Sequence, residues 1–384
     1  MRVCALQSGT SADGIDVLVV DAEVSGDTLS VRPVRWRTRE WEPTLRRDIL
    51  QASHGDALDA AAWCALDTRL GEAFAEAARD EDDLDLVVSH GQTLYHWIDD
   101  GHARGTMQLG EPSLIAEAAG CPVISHLRHA DIAAGGEGAP LMAVLDRLWL
   151  APEAAEQGTS IATVNIGGIA NIQVVEPDGR VRAWDTGPGN ALIDALVDRR
   201  SQGRESFDRD GALAASGRVH PQLLTLLQRH PYFSRPEPKT TGRHEFSAHT
   251  VDDVVDGLTG TRPSDADIAA TLAELTAWSI AEAVRRSGAG RVLVSGGGVH
   301  NPVLMRRLAE LAAPTRVAST AERGVDPDSR ENLMFAVVGL LSWFGIPIEI
   351  DGPARRIAGR FTPSPRGLAL PAPRPSLTRL EILP

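Results

Sequence analysis

Apolar residues run through Thr163-Val164-Asn165-Ile166, stop at Gly167-Gly168 and resume from Ile169 to Val175. Two such runs separated by two glycines predict a hairpin whose tip carries bare backbone N–H groups. Pro177-Asp178-Gly179-Arg180 turns the chain again, and the run from Arg180 to Trp184 predicts a third strand ending in Asp185. A carboxylate is therefore expected at a strand end. Gly187-Pro188-Gly189 predicts a tight bend, with Asn190 capping a helix that extends to Arg200. The start of the chain repeats this layout. Val3 to Gln7 predicts a strand, Ser8 to Gly14 a small-residue turn, Ile15 to Val20 a returning strand, and Ser30 to Trp36 a third. Two glycine-tipped, three-stranded units suggest an internal duplication with a cleft between the halves.

Between and after these units the pattern alternates helices with short buried strands. Helices are predicted over Pro43 to Leu50, Ala57 to Ala78, Ser113 to Ala119, Pro140 to Leu150, Pro221 to Arg229, Asp267 to Arg286 and Pro302 to Leu311. Leu84 to Val88 reads as a strand that delivers Ser89-His90-Gly91-Gln92-Thr93 at its carboxyl end, where ligands sit in open α/β sheets. His90 and Gln92 read equally as site residues or as structural ones. The glycine-dense stretch from Arg128 to Leu141 reads as a crossing between lobes that lines the cleft, or as a plain connecting loop. Ala151 to Gly158 reads as a surface connection, Phe207 to Gly211 as a charged loop opening a helix, and His230 to Arg243 as a long, polar, substrate-facing loop. Arg291 to Ser295 predicts a strand meeting Gly296-Gly297-Gly298, with Asn301 as the cap of the next helix. Three glycines at a strand end offer a flat surface for a planar base or ribose, against the plainer reading of a tight turn. Glu331 falls in the first turn of a helix marked by Leu333, Phe335, Val337 and Leu341; it points to the cleft or simply favours the helix dipole. The tail after Asp351, rich in proline and arginine, is expected to pack peripherally.

Length changes this picture little: 384 residues exceed a usual single core and predict two domains. The net charge of -14 argues against a nucleic-acid or anionic-membrane surface, so an anionic substrate needs local help from arginine, a metal ion or backbone donors. Lys239 is the only lysine, and it follows Pro238, which excludes a P-loop. Cys4, Cys64 and Cys121 are too few and scattered for a disulfide framework or a zinc site and fit a reducing compartment. No leader-like segment and no apolar run of roughly 20 residues is present, so a cytoplasmic protein is expected.

Six segments, in this order and spacing, resemble the anhydro-N-acetylmuramic acid kinases of the sugar kinase, Hsp70 and actin superfamily. They are Ser8 to Asp16, Ser89 to Thr93, Gly135 to Leu141, Asn165 to Asn171, Asp185 to Asn190 and Ser295 to Asn301. The resemblance implies an α/β fold of two actin-like (ribonuclease H-like) lobes closing on a nucleotide. Residues 1–135 would form the first lobe, with the tail 346–384 packing on it, and residues 136–345 the second. It further implies ATP and Mg2+, the ion carried by the phosphates and water, with no protein ligand identified. Gly9, Thr10, Ser11, Asp13, Gly14 and Asp16 match the first phosphate loop, and Asn165, Gly167 and Gly168 the second. Gly296, Gly297, Gly298 and Asn301 match the adenosine motif. Asp185 matches the acid that activates water for attack at the anomeric carbon. His90, Gln92, Arg128, Asp131, Glu137, Gly187, Pro188 and Glu331 are expected on the sugar side or in support. The partner implied is a small-molecule anhydrosugar, with neither nucleic acid nor membrane, and a homodimer is compatible with the sequence.

In this family the sugar's 1,6-anhydro bridge is opened and its O6 phosphorylated in one reaction. That chemistry is coherent with one carboxylate, because O6 is at once the leaving group of hydrolysis and the nucleophile toward the γ-phosphate. The sequence departs from the pattern at Gln7, usually methionine, and at Glu137, usually glutamine. A carboxylate at 137 removes a donor and adds charge, which motivates a neutral sugar such as 1,6-anhydroglucose as the alternative substrate. An ordinary hydroxyl or carboxyl kinase, and a non-catalytic sugar sensor on the same fold, are the other readings.

Overall fold

The apolar runs broken by glycine fold as antiparallel ribbons, and each ribbon begins a sheet. The computed structural model describes residues 1–53, 55, 57–242, 245–259, 261–350 and 354–384. β1 (Arg2–Ser8), β2 (Ile15–Ser25) and β3 (Thr28–Arg39) pair antiparallel, with Gln7 opposite Asp16 at the first turn. Val3 to Leu6 are fully buried, as expected of a central strand covered on both faces. Then come α1 (Pro43–Ser53), α2 (Ala60–Arg79), β4 (Leu86–Asp99) and β5 (His102–Leu109). α3 (Pro112–Ala119), β6 (Val123–Ser125), α4 (His129–Ala133) and α5 (Met142–Gln157) follow.

β7 (Ile161–Ile166), β8 (Ile169–Val175) and β9 (Val181–Pro188) form the second ribbon. Five helices come next: α6 (Ala191–Ser201), α7 (Ala212–Ser216), α8 (Pro221–Gln228), α9 (Ala248–Asp256) and α10 (Asp265–Ser287). β10 (Arg291–Ser295), α11 (Pro302–Ala312) and β11 (Arg316–Ser319) close this part. The chain ends with α12 (Arg330–Trp343), β12 (Arg360–Thr362) and β13 (Arg379–Ile382).

The chain divides into two compact units, Met1–Trp149 with Ser329–Pro384, and Leu150–Asp328. In the first unit the strand order is β12-β6-β4-β1-β2-β3-β13, with β5 on β4; in the second it is β11-β10-β7-β8-β9. Both sheets share a pattern. The first strand of each is central, followed on one side by two strands in antiparallel pairing and on the other by two in parallel pairing; in the first sheet β13 and β12 extend the two ends. This common order is the structural counterpart of the duplication read from the glycine-tipped ribbons.

The division differs from a boundary at 135/136. The glycine-dense stretch is held within the first unit: Arg128 Nη1 donates to the Gly138 carbonyl (2.8 Å) and the Gly138 N–H to Asp131 Oδ2 (2.8 Å). α12 also belongs there. Asn332 Nδ2 donates to the carbonyls of Ala5 (3.3 Å) and Asp16 (3.0 Å), and Gly339 lies so close to Val88 that a Cβ would collide with it. Residues 151–157, expected as a surface connection, instead continue α5 through Pro152. The tail, apart from residues 351–353, which lie outside the described residues, is built into the first sheet. β12 pairs antiparallel with β6, and β13 parallel with β3. Among the described residues no helix is long and apolar enough to cross a membrane.

Candidate functional site

In the second unit Asp185 lies inside β9, not at a strand end, because the strand continues to Pro188. Asn171 faces Asp185 and Ala170 faces Gly187, leaving Thr186 as the extra residue of a bulge. Its hydroxyl donates to the Ala170 carbonyl (3.2 Å). Bulges re-aim the side chains beside them. The segment after α8 then clasps Asp185 at three points. The Asp185 N–H donates to the Lys239 carbonyl (2.9 Å), the Tyr232 hydroxyl donates to the Asp185 carbonyl (2.6 Å), and the Thr241 N–H donates to Asp185 Oδ2 (2.9 Å). Burial pushes the Asp185 carboxyl up, and the Thr241 amide opposes that shift. A carboxylate oriented by an amide, with its proton affinity raised, suits a general base.

The expected polar loop from His230 is anchored where this clasp forms. Tyr232 and Lys239 are buried, and Tyr232, Phe233, Phe246 and Trp278 form an aromatic cluster. Its last expected residue, Arg243, lies outside the described residues.

The Gly167-Gly168 tip is fixed to the start of α6. Gly189 and Ala191 N–H groups donate to the Gly168 carbonyl (2.9 and 3.1 Å), and the Asn190 N–H to the Gly167 carbonyl (2.8 Å). Asn190 makes no side-chain cap; its Nδ2 donates to the Ile166 carbonyl at 3.3 Å. Gly187, at φ +149°, leaves no room for a Cβ against Phe233, and Thr276 Oγ1 donates to the carbonyls of Pro188 (3.1 Å) and Gly189 (2.8 Å). Gly187 and Pro188 are thereby seated on α10.

The glycine triplet has two purposes. Gly296 and Gly298 have no room for a Cβ, being pressed against Asn165 and Ile166, whereas Gly297 is open. Asn301 caps α11 as expected, its Oδ1 accepting from the N–H groups of Val303 and Leu304 at 3.1 Å each. Gly297 and Asn301 line a pocket of about 490 Å³ with Asn190, Phe207, Arg209 and His300. The Arg209 guanidinium lies 5.1 Å from the Phe207 ring centroid, and His300 Nε2 is 2.7 Å from Asp328 Oδ2. Phe207, Arg209 and His300 are additions to the sequence reading. The available signal was an aromatic residue inside a charged loop.

In the first unit, Gly9 is open, and its carbonyl accepts from Gln92 Nε2 (2.9 Å) and the Ala12 N–H (3.1 Å). Thr10, Ser11 and Asp13 are exposed, Asp13 lying 3.6 Å from Arg46. Gly14 is enclosed by Arg39 and Thr38. Asp16 Oδ2 accepts from Gln7 Nε2 (2.8 Å) and Oδ1 from Thr38 Oγ1 (2.6 Å), so the unusual Gln7 serves to orient Asp16.

β4 does not stop before Ser89; it runs on through His90 and Gln92, with His90 bulged out beside Gly91 at φ +74°. His90 is buried and stacks on Phe335 with ring centroids 4.2 Å apart. Burial, then Arg128, holds its imidazole well below the usual range, so it is neutral at pH 7. Burial also pulls the Arg128 guanidinium down, with Glu331 opposing. Glu331 is accessible to solvent yet crowded by protein, which pushes its carboxyl up, Arg128 opposing and Asp16 adding. The fold thus groups Asp16, Arg128 and Glu331 closely enough for their charges to interact. Asp131 supports the glycine stretch, and Glu137 lies elsewhere, with Oε1 3.0 Å from His102 Nδ1 and Oε2 accepting the Ala103 N–H (2.7 Å). Among the described residues no cluster of three or more His, Cys, Asp or Glu side chains is arranged to hold a metal ion.

The anhydro-N-acetylmuramic acid kinase family model matches residues 1–355. An anhydro-N-acetylmuramic acid kinase of Streptomyces avermitilis is 44% identical over 381 residues, 97% of each chain. One from Rhodococcus erythropolis is 40% identical over 405 residues, covering all of both chains. Among solved structures, xylulose kinase from Rhodospirillum rubrum is 13% identical, covering 89% of this chain and 90% of that one at a TM-score of 0.38, a likeness too loose to carry an argument. The match over nearly the whole length, at this identity, means that the chain belongs to the anhydro-N-acetylmuramic acid kinase family.

Proposed function

We propose that the protein is an ATP-dependent kinase that opens the 1,6-anhydro ring of anhydro-N-acetylmuramic acid with water and phosphorylates O6, giving N-acetylmuramic acid 6-phosphate. The observation that carries this reading is Asp185: a half-buried carboxylate, raised by burial and oriented by the Thr241 amide. Water adds its oxygen to C1 as the C1–O6 bond breaks, and Asp185 takes the proton of that water. O6 attacks the γ-phosphorus, whose bond to ADP breaks in turn. The phosphoryl group thereby replaces the acid proton that an inverting glycosidase must supply.

Gly9 to Asp16 and Asn165, Gly167 and Gly168 would hold phosphates, and Gly297 and Asn301, with Phe207, the adenosine. The open Cβ positions at Gly9 and Gly297 fit close approach of a ligand. With Lys239 buried near Tyr232 and no lysine elsewhere, Mg2+ carried by the phosphates would neutralise their charge. Arg128 and Glu331 are the preferred sugar-side groups, His90 and Gln92 their support. Three free cysteines and dependence on ATP suit the cytoplasm.

The test is turnover of anhydro-N-acetylmuramic acid with ATP in ¹⁸O-labelled water, reading product mass. One phosphoryl group and one labelled oxygen are expected. Phosphorylation without label would leave an ordinary kinase and overturn the coupled reaction.

A further inference from the structure

Lys239 is the only lysine among 38 basic residues, and its side chain is buried. Its ammonium donates to the Tyr232 carbonyl (3.1 Å) and the Phe233 carbonyl (3.5 Å) and lies 4.4 Å from the centroid of the Tyr232 ring. Such a place suits a compact ammonium better than a planar guanidinium, which would need a wider set of acceptors. Around it the chain makes a closed circuit. The side chain of Lys239 grips the backbone at 232 and 233, its own carbonyl takes the Asp185 N–H, and two residues on the Thr241 N–H reaches the Asp185 carboxylate.

We propose that Lys239 is a positioning residue for Asp185, closing the 230–241 segment so that Thr241 N–H is held on the carboxylate. This inference rests on Asp185 being the water-activating base. The aromatic cluster packs Tyr232 and Phe233 independently of the ammonium, so removing the charge loosens residues 239–241 first and leaves Asp185 buried. Burial then acts without its opposing hydrogen bond, and the carboxyl rises further.

The charged groups facing this region are already engaged. Glu245 pairs with Arg235 and accepts from Thr241 Oγ1, and Glu237 pairs with Arg286. Burial pushes the Tyr232 phenol up and the His230 imidazole down. Glu331 carries another raised carboxyl, so an acidic limb that Glu331→Gln leaves in place is the one that reports Asp185.

The experiment compares Lys239→Met, which keeps the volume, with wild type and Asp185→Asn. For Lys239→Met we expect kcat to fall about 10–100-fold and the acidic limb to move up by about one pH unit. KM for ATP should stay within about twofold. In the Asp185→Asn background the same change should cost little more, because a residue acting through Asp185 has nothing left to orient. Lys239→Gln, a shorter uncharged donor, serves if the methionine variant does not fold and should show the same shift. An unmoved limb with only a lower Tm, or losses that multiply in the double variant, would overturn the role of Lys239. Near-normal turnover of Asp185→Asn would instead overturn the reading of Asp185 itself.

Discussion

Asp185 responds to two opposed influences, burial that raises its carboxyl and the Thr241 amide that lowers it, and burial is the larger. A base works only unprotonated, so activity should be lost as pH falls through this raised value. The acidic limb of kcat should thus lie above the ordinary aspartate range of about 4. A limb at or below that range would remove Asp185 from the role. Replacing it with asparagine keeps the fold and the glycine hairpin, so nucleotide binding should survive while turnover falls by about 10²-fold or more. Equilibrium binding of ADP beside steady-state turnover separates the two effects. Glu137 calls for the opposite expectation. Its carboxylate is occupied by His102 and the Ala103 N–H, and its acidity is strengthened by that pairing, His102 first. Its charge is therefore spent on holding the glycine stretch to β5, which removes the reason to infer a neutral sugar from this position. Glu137→Gln should change KM for anhydro-N-acetylmuramic acid by no more than about twofold, since exposed pairs contribute little. A tenfold change would put this side chain on the sugar.

The Gly296-Gly297-Gly298 turn joining β10 to α11 separates packing from function within three residues. A Cβ on Gly298 would run into Ile166, and one on Gly296 into Asn165 at φ +81°. Gly298→Ala should cost about 1–3 kcal/mol of stability in denaturant unfolding. Gly297→Ala has open space, so it should cost under about 0.5 kcal/mol yet raise KM for ATP; the reverse order would disprove this division of labour. The same turn shows what was readable beforehand. Asn301 was legible as a cap and the Gly167-Gly168 hairpin as a hairpin, because both depend on neighbours in sequence. β4 and β9 were read short, since Gly91 and Gly187 resemble terminators and instead lie beside bulges that let each strand continue. β11, β12 and β13, of three or four residues, offered too little alternation to be seen. The roles of Gln92, Asp131 and Glu137 escaped for another reason. Their partners, Gly9, Gly138 and Ala103, are fixed only when distant segments meet.

At the scale of the whole molecule, the second unit is one continuous stretch, whereas the first is closed by the chain's return. That return has two parts of different standing. α12 brings Glu331, Asn332 and the buried Arg330–Asp146 pair, the latter at 2.5 Å, and lies within the family match. The stretch after 355 lies beyond that match and adds β12 and β13 to the two ends of the first sheet. β13 pairs Leu380 with Leu29 and, with Leu377, covers what would otherwise be an unpaired edge of β3. No candidate site residue lies in it. Deleting residues 356–384 should therefore cost the first unit about 4 kcal/mol, roughly two buried leucines, while turnover of the protein that remains folded stays within about twofold of wild type. Hydrogen exchange locates the effect. Amides of β3 and β6 should lose protection, and those of β7, β8 and β10 should keep theirs. Unchanged protection in β3 would mean that β13 is dispensable to the sheet. A collapse of turnover in the folded fraction would mean that the tail serves the site as well as the edge.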